Sequence, residues 1–249
     1  METTYFLGVA FAAFFIAGTI KGIAGLGLPT AAIAGMSLVI GPRAAIALML
    51  FPMLGLNGWQ WLKAGHLIET ARRYWVFALV LLVGVTITTF AAKDVPDRGL
   101  MAALGVTILL FVASSWGGWL PKLNPKYDLI AQTGFAVFAG IIGGLTAAWA
   151  APMGMYLSMC DVKKEEFIRA SGFLITIGSL PLCLAYVQLG FLTQSMIMTS
   201  LGMFIPALLG FSLGEWVRRH LSQEYFRQAI LCVFLLLALN LLRRAVWYA

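Results

Sequence analysis

Ala17-Gly18-Thr19-Ile20-Lys21-Gly22-Ile23-Ala24-Gly25-Leu26-Gly27-Leu28-Pro29 is the stretch on which the reading of this chain turns. It sets one lysine in apolar surroundings, with eighteen uncharged residues before it and twenty-one after it. An ammonium in the hydrocarbon core of a bilayer costs roughly 2.5–3.5 kcal/mol on insertion scales. Lys21 therefore either snorkels to an interface along its aliphatic stem or faces a cavity and pairs with an anion. Gly22, Gly25 and Gly27 permit an irregular backbone, and Pro29 suits the first turn of a new helix. The glycines have two readings. They could serve close helix packing, or they could mark a break whose freed N–H groups and helix dipole favour negative charge, as where short helices meet at a transporter midplane.

Working outward, the surroundings are those of a membrane. Of 249 residues 61% are hydrophobic and 11% charged, less than half the roughly 25% charge of a soluble domain. The apolar residues fall in long runs, 5–20, 22–40, 44–62, 74–92, 100–120, 129–142, 143–160, 167–187, 191–213 and 226–242. Such runs suit spanning helices, which satisfy their own backbone hydrogen bonds in lipid, rather than the short alternating strands of an outer-membrane barrel. Trp59, Trp61, Trp75, Trp116, Trp119, Trp216 and Trp247 stand near the run ends, where the headgroup zone favours indole; Trp149 alone sits well inside a run. Residues 1–5 carry no basic cluster, so the first run is expected to stay as a membrane segment. Cys160, Cys183 and Cys232 are odd in number and far apart, which predicts small buried side chains rather than a metal or disulfide framework.

The opening stretch has a counterpart, Ala139-Gly140-Ile141-Ile142-Gly143-Gly144-Leu145-Thr146-Ala147-Ala148-Trp149-Ala150-Ala151-Pro152. Both have an Ala-Gly pair, a second Gly four residues after the first, and a proline further on. A polar segment with two prolines, 121–128, lies between them. The expected architecture is all-α and polytopic, with two repeated halves, 1–127 and 128–249, each containing a broken or re-entrant helix pair. Counting each Gly-rich segment as one span divides Lys and Arg nine against seven. Counting each as two short helices leaves Arg43, Lys93, Arg98, Arg243 and Arg244 on one side. Lys63, Arg72, Arg73, Lys122, Lys126, Lys163, Lys164, Arg169, Arg218, Arg219 and Arg227 then share the other. Short loops follow the positive-inside tendency. The second count is favoured; it makes the halves inverted copies and puts both chain ends outside the cytoplasm.

Candidate ligand-binding residues follow from this arrangement. Lys21 supplies the charge, and Gly22, Gly25, Gly27, Pro29 and Thr30 the break and helix start beside it. Gly143, Gly144, Thr146 and Trp149 form the second tip, with a hydroxyl and an indole N–H but no charge. Asn57 and Gln60, three residues apart on one helical face, could offer amide donors to an oxyanion; Trp59 and Trp61 beside them equally suit a membrane end. Asn240 reads as inter-helix glue, and Arg43 and Arg169 as interfacial anchors. No carboxylate lies deep in a run, which weighs against cation transport. No catalytic set, P-loop or dinucleotide fingerprint is present, and the basic residues form no stripe suited to nucleic acid. The expected partners are a small anion, a coupling ion and the bilayer, with no cofactor, metal or nucleic acid.

Together Gly18–Pro29, Gly140–Gly144, Pro52 with Asn57 and Gln60, Arg169-Ala170-Ser171 and Leu209–Gly214 resemble the TauE/SafE family of sulfite-exporter-like permeases, in order over nearly the whole chain. The resemblance implies a permease of a bacterial inner membrane for sulfite, sulfonates, related sulfur compounds or other small organic anions. The chain departs from the family pattern where Thr146, Ala147, Ala148 and Trp149 replace a denser glycine cluster. A non-transporting membrane scaffold or accessory subunit is the competing reading.

Overall fold

A computed structural model describes residues 3–117, 121–220 and 223–247. Ten α-helices follow one another: α1 (Thr3–Ala24), α2 (Leu28–Met36), α3 (Pro42–Ala64), α4 (Leu67–Ala91), α5 (Asp97–Gly117), α6 (Asp128–Thr146), α7 (Ala150–Met159), α8 (Lys164–Gln188), α9 (Gln194–His220) and α10 (Gln223–Trp247). A single 3-10 turn, Pro125–Tyr127, precedes α6, and no strand occurs among the described residues. Among the described residues seven helices (α1, α3, α4, α5, α6, α8 and α9) are long and apolar enough to cross a membrane. Their outer flanks expose Leu79, Ile87, Ile130, Leu184 and Ile205, as lipid contact requires. Trp59, Trp75, Trp116, Trp216 and Trp247 are also exposed, whereas Trp61 tucks its Nε1 inward. Trp119 and the side chains of Arg219 and Arg227 lie outside the described residues.

Local chemistry explains the helix ends. α1 runs on past Lys21 because nothing there opposes helix, and it stops where Gly25 (φ 78°) and Gly27 (φ 98°) turn left-handed. Only glycine adopts these angles without a Cβ penalty. Pro29 then opens α2 and Pro42 opens α3. In the second half α6 persists to Thr146, and Ala147 takes φ 56° with its N–H donated to the Gly143 carbonyl at 2.8 Å. The breaks thus fall three to four residues later than the glycines alone suggest. α1 and α6, at 22 and 19 residues, are full-length; the short members are α2 and α7, at 9 and 10 residues, or about 14 and 15 Å.

Packing is dominated by four helix pairs: α1 along α9, α6 along α4, α3 against α8 and α5 against α10. Small residues form the first two seams. A Cβ on Gly22 would sit 2.8 Å from the Gly214 Cα, and one on Gly214 2.9 Å from the Gly22 Cα. On the other seam a Cβ on Gly140 would sit 2.8 Å from the Gly84 Cα. Backbones in contact maximise dispersion where lipid supplies no hydrophobic drive between helices. The polar segment between the halves is anchored as well, its Leu123 N–H donating to the Met159 carbonyl at 2.7 Å.

The ionic contacts separate into two ends. At one, Lys63 pairs with Glu215, Arg73 with Glu166 and Lys122 with Asp161; the hydrogen bond and charge of Asp161 raise the Lys122 pKa. At the other, Arg43 donates to the carbonyls of Ala92 and Val95 and lies over Phe191, and Arg244 donates to the Ser37 carbonyl. Arg43 is therefore a brace between loops. Arg169 is only partly buried, and its buried Nε has no partner. Asn240 accepts from Arg243 on its own helix, not across helices. The cysteines depart from expectation too: Cys160 and Cys183 are half-buried and Cys232 is exposed, which lipid tolerates for an apolar thiol.

The seams make a direct prediction. Gly140→Val should lower stability in detergent by about 1–3 kcal/mol through overpacking. Gly134→Ala in the same helix, with nothing within 4 Å of the new Cβ, should be neutral or stabilising by up to about 1 kcal/mol. Thermal unfolding of the two variants checks the pair.

Candidate functional site

Lys21 ends up almost wholly buried, 1% exposed, with its side chain turned inward between helices. Its Nζ donates to the Asn57 Oδ1 at 2.7 Å and to the Gln60 Oε1 at 2.8 Å. Asn57 and Gln60 share a face of α3 because they are one helical turn apart. Each amide is held from behind. The Asn57 Nδ2 donates to the Met53 carbonyl at 2.7 Å, and the Gln60 Nε2 donates to the Ile168 carbonyl at 2.6 Å and to the Ser171 Oγ at 3.2 Å. The amide oxygens are thereby aimed at the ammonium. The Phe211 ring closes the nest from α9, its centroid 6.0 Å from the Nζ.

The electrostatics are unusual for a buried lysine. Among the described residues no carboxylate is in hydrogen-bond or ion-pair contact with Lys21; the Nζ is met directly by neutral amide oxygens and an aromatic face, with Glu215 acting on it at longer range. Buried charges in proteins are ordinarily paired. Glu215 lies nearby on α9, next to the Gly22–Gly214 seam, but its oxygens go to Lys63 at 3.6 Å and Arg218 at 3.4 Å. An ammonium with no carboxylate in direct contact, held by fixed amide dipoles, interacts with an approaching anion more strongly than it would in water.

The other sequence candidates distribute as follows. Gly22 serves the seam with α9, and Gly25 and Gly27 make the break. Pro29 and Thr30 are buried in the first turn of α2. The side chains nearest a Cβ on Gly27 are those of Ile20 and Phe234, and the Lys21 Nζ donates to residues of α3. The second tip lies elsewhere again. Gly143 receives the Trp149 ring, which also packs on Gly178 of α8, seven residues and about 10 Å along the helix from Ser171. Gly144 presses on Thr88 and Thr89 of α4. The Thr146 hydroxyl donates to the Ile142 carbonyl and accepts from the Ala148 N–H, and Trp149 keeps a buried Nε1 with no partner. Lys21, Asn57 and Gln60 therefore stand together in one hydrogen-bonded group, while Gly143, Gly144, Thr146 and Trp149 pack against α4 and α8 and share none of its hydrogen bonds.

Two features of the nest escaped the sequence. Ser171 and the Ile168 carbonyl orient Gln60 from more than a hundred residues away, beyond the reach of helical spacing. Glu215 lies just beyond the apolar run 191–213, yet α9 continues through it to His220.

Fold and site together define a multi-pass helical membrane protein with a buried cationic nest. The chain belongs to the sulfite exporter TauE/SafE family, whose model matches residues 10–241. That family is one of membrane transporters for sulfur-containing anions, consistent with a non-enzymatic chain. Comparison with curated proteins and with solved structures gave no match.

The nest predicts a stability pattern. Lys21→Met leaves two buried amide oxygens unpaired and should destabilise by about 1–3 kcal/mol. Adding Asn57→Leu and Gln60→Leu should restore most of that loss, since a matched apolar cluster is tolerated where a broken polar one is not. Denaturation in detergent of the single and triple variants compares them.

Proposed function

We propose that this chain is a secondary transporter for a small anion, sulfite, a sulfonate or another sulfur-containing or organic anion. Lys21 supplies the charge that binds it. The observation that carries this reading is the ammonium buried on neutral amide oxygens with no carboxylate in contact. In the closed nest Lys21 uses two of its three N–H donors. An arriving oxyanion takes the third donor, while Asn57 and Gln60 stay on the ammonium, their amide nitrogens still held by the Met53 and Ile168 carbonyls. Family membership supports the substrate class.

Alternating exposure of this nest rests on the proposed inverted repeat. Support comes from the packing scheme, which survives exchange of the halves: α1 on α9 corresponds to α6 on α4, while α3–α8 and α5–α10 each map onto themselves. Gly18 and Gly22 on α1 then match Gly140 and Gly144 on α6, and Lys21 matches Gly143, whose missing side chain is replaced by the Trp149 ring. The site is accordingly single and asymmetric, with a cation in one half and an indole plug in the other. The positive-inside tendency puts the end bearing Lys63, Lys122 and Arg218 in the cytoplasm and both chain ends outside.

In proteoliposomes the parent protein should carry sulfite or a small sulfonate down its gradient. Lys21→Ala should reduce that flux at least about tenfold, the scale of a lost charge-assisted contact, while Lys63→Ala, at an exposed ion pair, should leave it near the parent value. Equal flux through Lys21→Ala and the parent would remove Lys21 from the mechanism.

A further inference from the structure

Beyond the nest lies a cavity of about 490 Å³ whose walls come from α1, α5, α7, α8, α9 and α10. Its mouth is at the end of the molecule that carries Lys63 and Lys122, where the exposed Ser158 and Lys164 stand. Its depth is apolar, with Ile20, Leu26 and Phe234 buried and Phe111 and Phe167 beside them. Among the described residues the charged ones in its walls are Lys164 and Arg218, and no carboxylate lines it. Arg218 shares Glu215 with Lys63, so among these residues the cations keep a positive excess. Lys164 has no ion-pair partner among the described residues.

The cavity adjoins the nest through a thin wall. Ile20 lines the cavity and immediately precedes Lys21. Ile168 lines it too, while its carbonyl holds the Gln60 amide. The space falls in the range of roughly 300–1,000 Å³ typical of organic-ligand sites, far more than a bare oxyanion occupies. A small hydrated ion also gains nothing from phenylalanine walls, because its desolvation there is uncompensated. A ligand suited to both parts has an apolar body for the depth and one acidic head for the cations at the mouth.

We infer that this cavity binds an organic anion with an apolar body the size of one or two rings, its acid group on Arg218 and Lys164 and its body among Phe111, Phe167 and Phe234. This deepens the transporter reading and rests on it: the chamber receives the ligand at the basic end, one wall away from Lys21. Sulfonate and carboxylate heads satisfy the same two cations, so the body rather than the head is what the chamber selects.

The test measures equilibrium binding of 2-naphthoate and 2-naphthalenesulfonate to the purified full chain, with naphthalene-2-sulfonamide and sulfite as comparisons. Both aromatic anions should bind, the neutral sulfonamide at least about tenfold more weakly. Arg218→Gln and Lys164→Gln should each weaken the anions by about tenfold, as expected for loss of one charged contact. Gly154→Leu should abolish their binding without unfolding the protein, because its Cβ first meets the Leu26 Cδ1 at an ordinary 3.6 Å and the added carbons enter the cavity. Sulfite flux through Gly154→Leu, measured in proteoliposomes, separates the two claims. Sulfite transport by the parent protein with no aromatic-anion binding to that parent overturns the chamber and leaves the transporter reading standing. Aromatic-anion binding sensitive to Gly154→Leu but without transport of any anion upholds the chamber and removes that reading. Binding indifferent to all three substitutions overturns the chamber. So does an anionic lipid that native mass spectrometry finds on the parent but not on Gly154→Leu, and that 2-naphthoate does not displace.

Discussion

A buried ammonium held by two amide oxygens is the interaction on which the rest of this molecule is arranged. Removing a lysine charge from water without a counter-ion is tolerable only if its dipolar partners are held in place. Three helices hold them: α1 presents Lys21, α3 supplies both amides and α8 locks the Gln60 amide through Ile168 and Ser171. The α1–α9 seam sets the position of α1. Gly18, Gly22, Gly210 and Gly214 bring the two backbones together and leave Phe211 over the ammonium. A single larger side chain in that seam would shift Lys21 relative to α3. Glycine there is a condition of the site as well as of the fold.

In the proposed repeat the two halves use one packing scheme for different ends. The place of Lys21 is then taken in the second half by Trp149, packed against Gly143 and Gly178. One tip is polar; the other is a dense aromatic plug. In the proposed cycle the left-handed turns at Gly25 and Gly27 supply the freedom to move on the side of the charge. On the side of the plug Ala147 takes a left-handed angle despite its Cβ penalty, held there by its N–H bond to the Gly143 carbonyl and by the packed Trp149 ring.

Much of this was legible in the amino-acid sequence. Long uncharged runs, counted against a small charge content, are enough for a helical membrane protein, and the motifs around Lys21 pointed to the family that the chain belongs to. The pairing of Asn57 with Gln60 was visible because helical spacing is local. The helix ends were less so. Gly22 and Gly143 read as breakers, but glycine inside a helix costs only about 1 kcal/mol, and tertiary packing of α1 on α9 and of α6 on α4 outweighs it. Only the left-handed angles at Gly25, Gly27 and Ala147 stop the helices. Long-range partners such as Ser171, and the destination of the Trp149 ring, depend on how α8 lies against α3 and α4, which no local pattern encodes.

The central claim is that the Lys21 nest, closed in this structure, opens to an anion. The most direct measurement is labelling of Ser171→Cys, in a background where Cys160, Cys183 and Cys232 are replaced, by a membrane-impermeant thiol reagent from either face of sealed vesicles. Ser171 is fully buried beside Gln60. The account predicts that it becomes reactive from each face in turn, and that sulfite or a sulfonate changes the rate. A thiol at this position that stays unreactive from both faces, with and without anion, would contradict it.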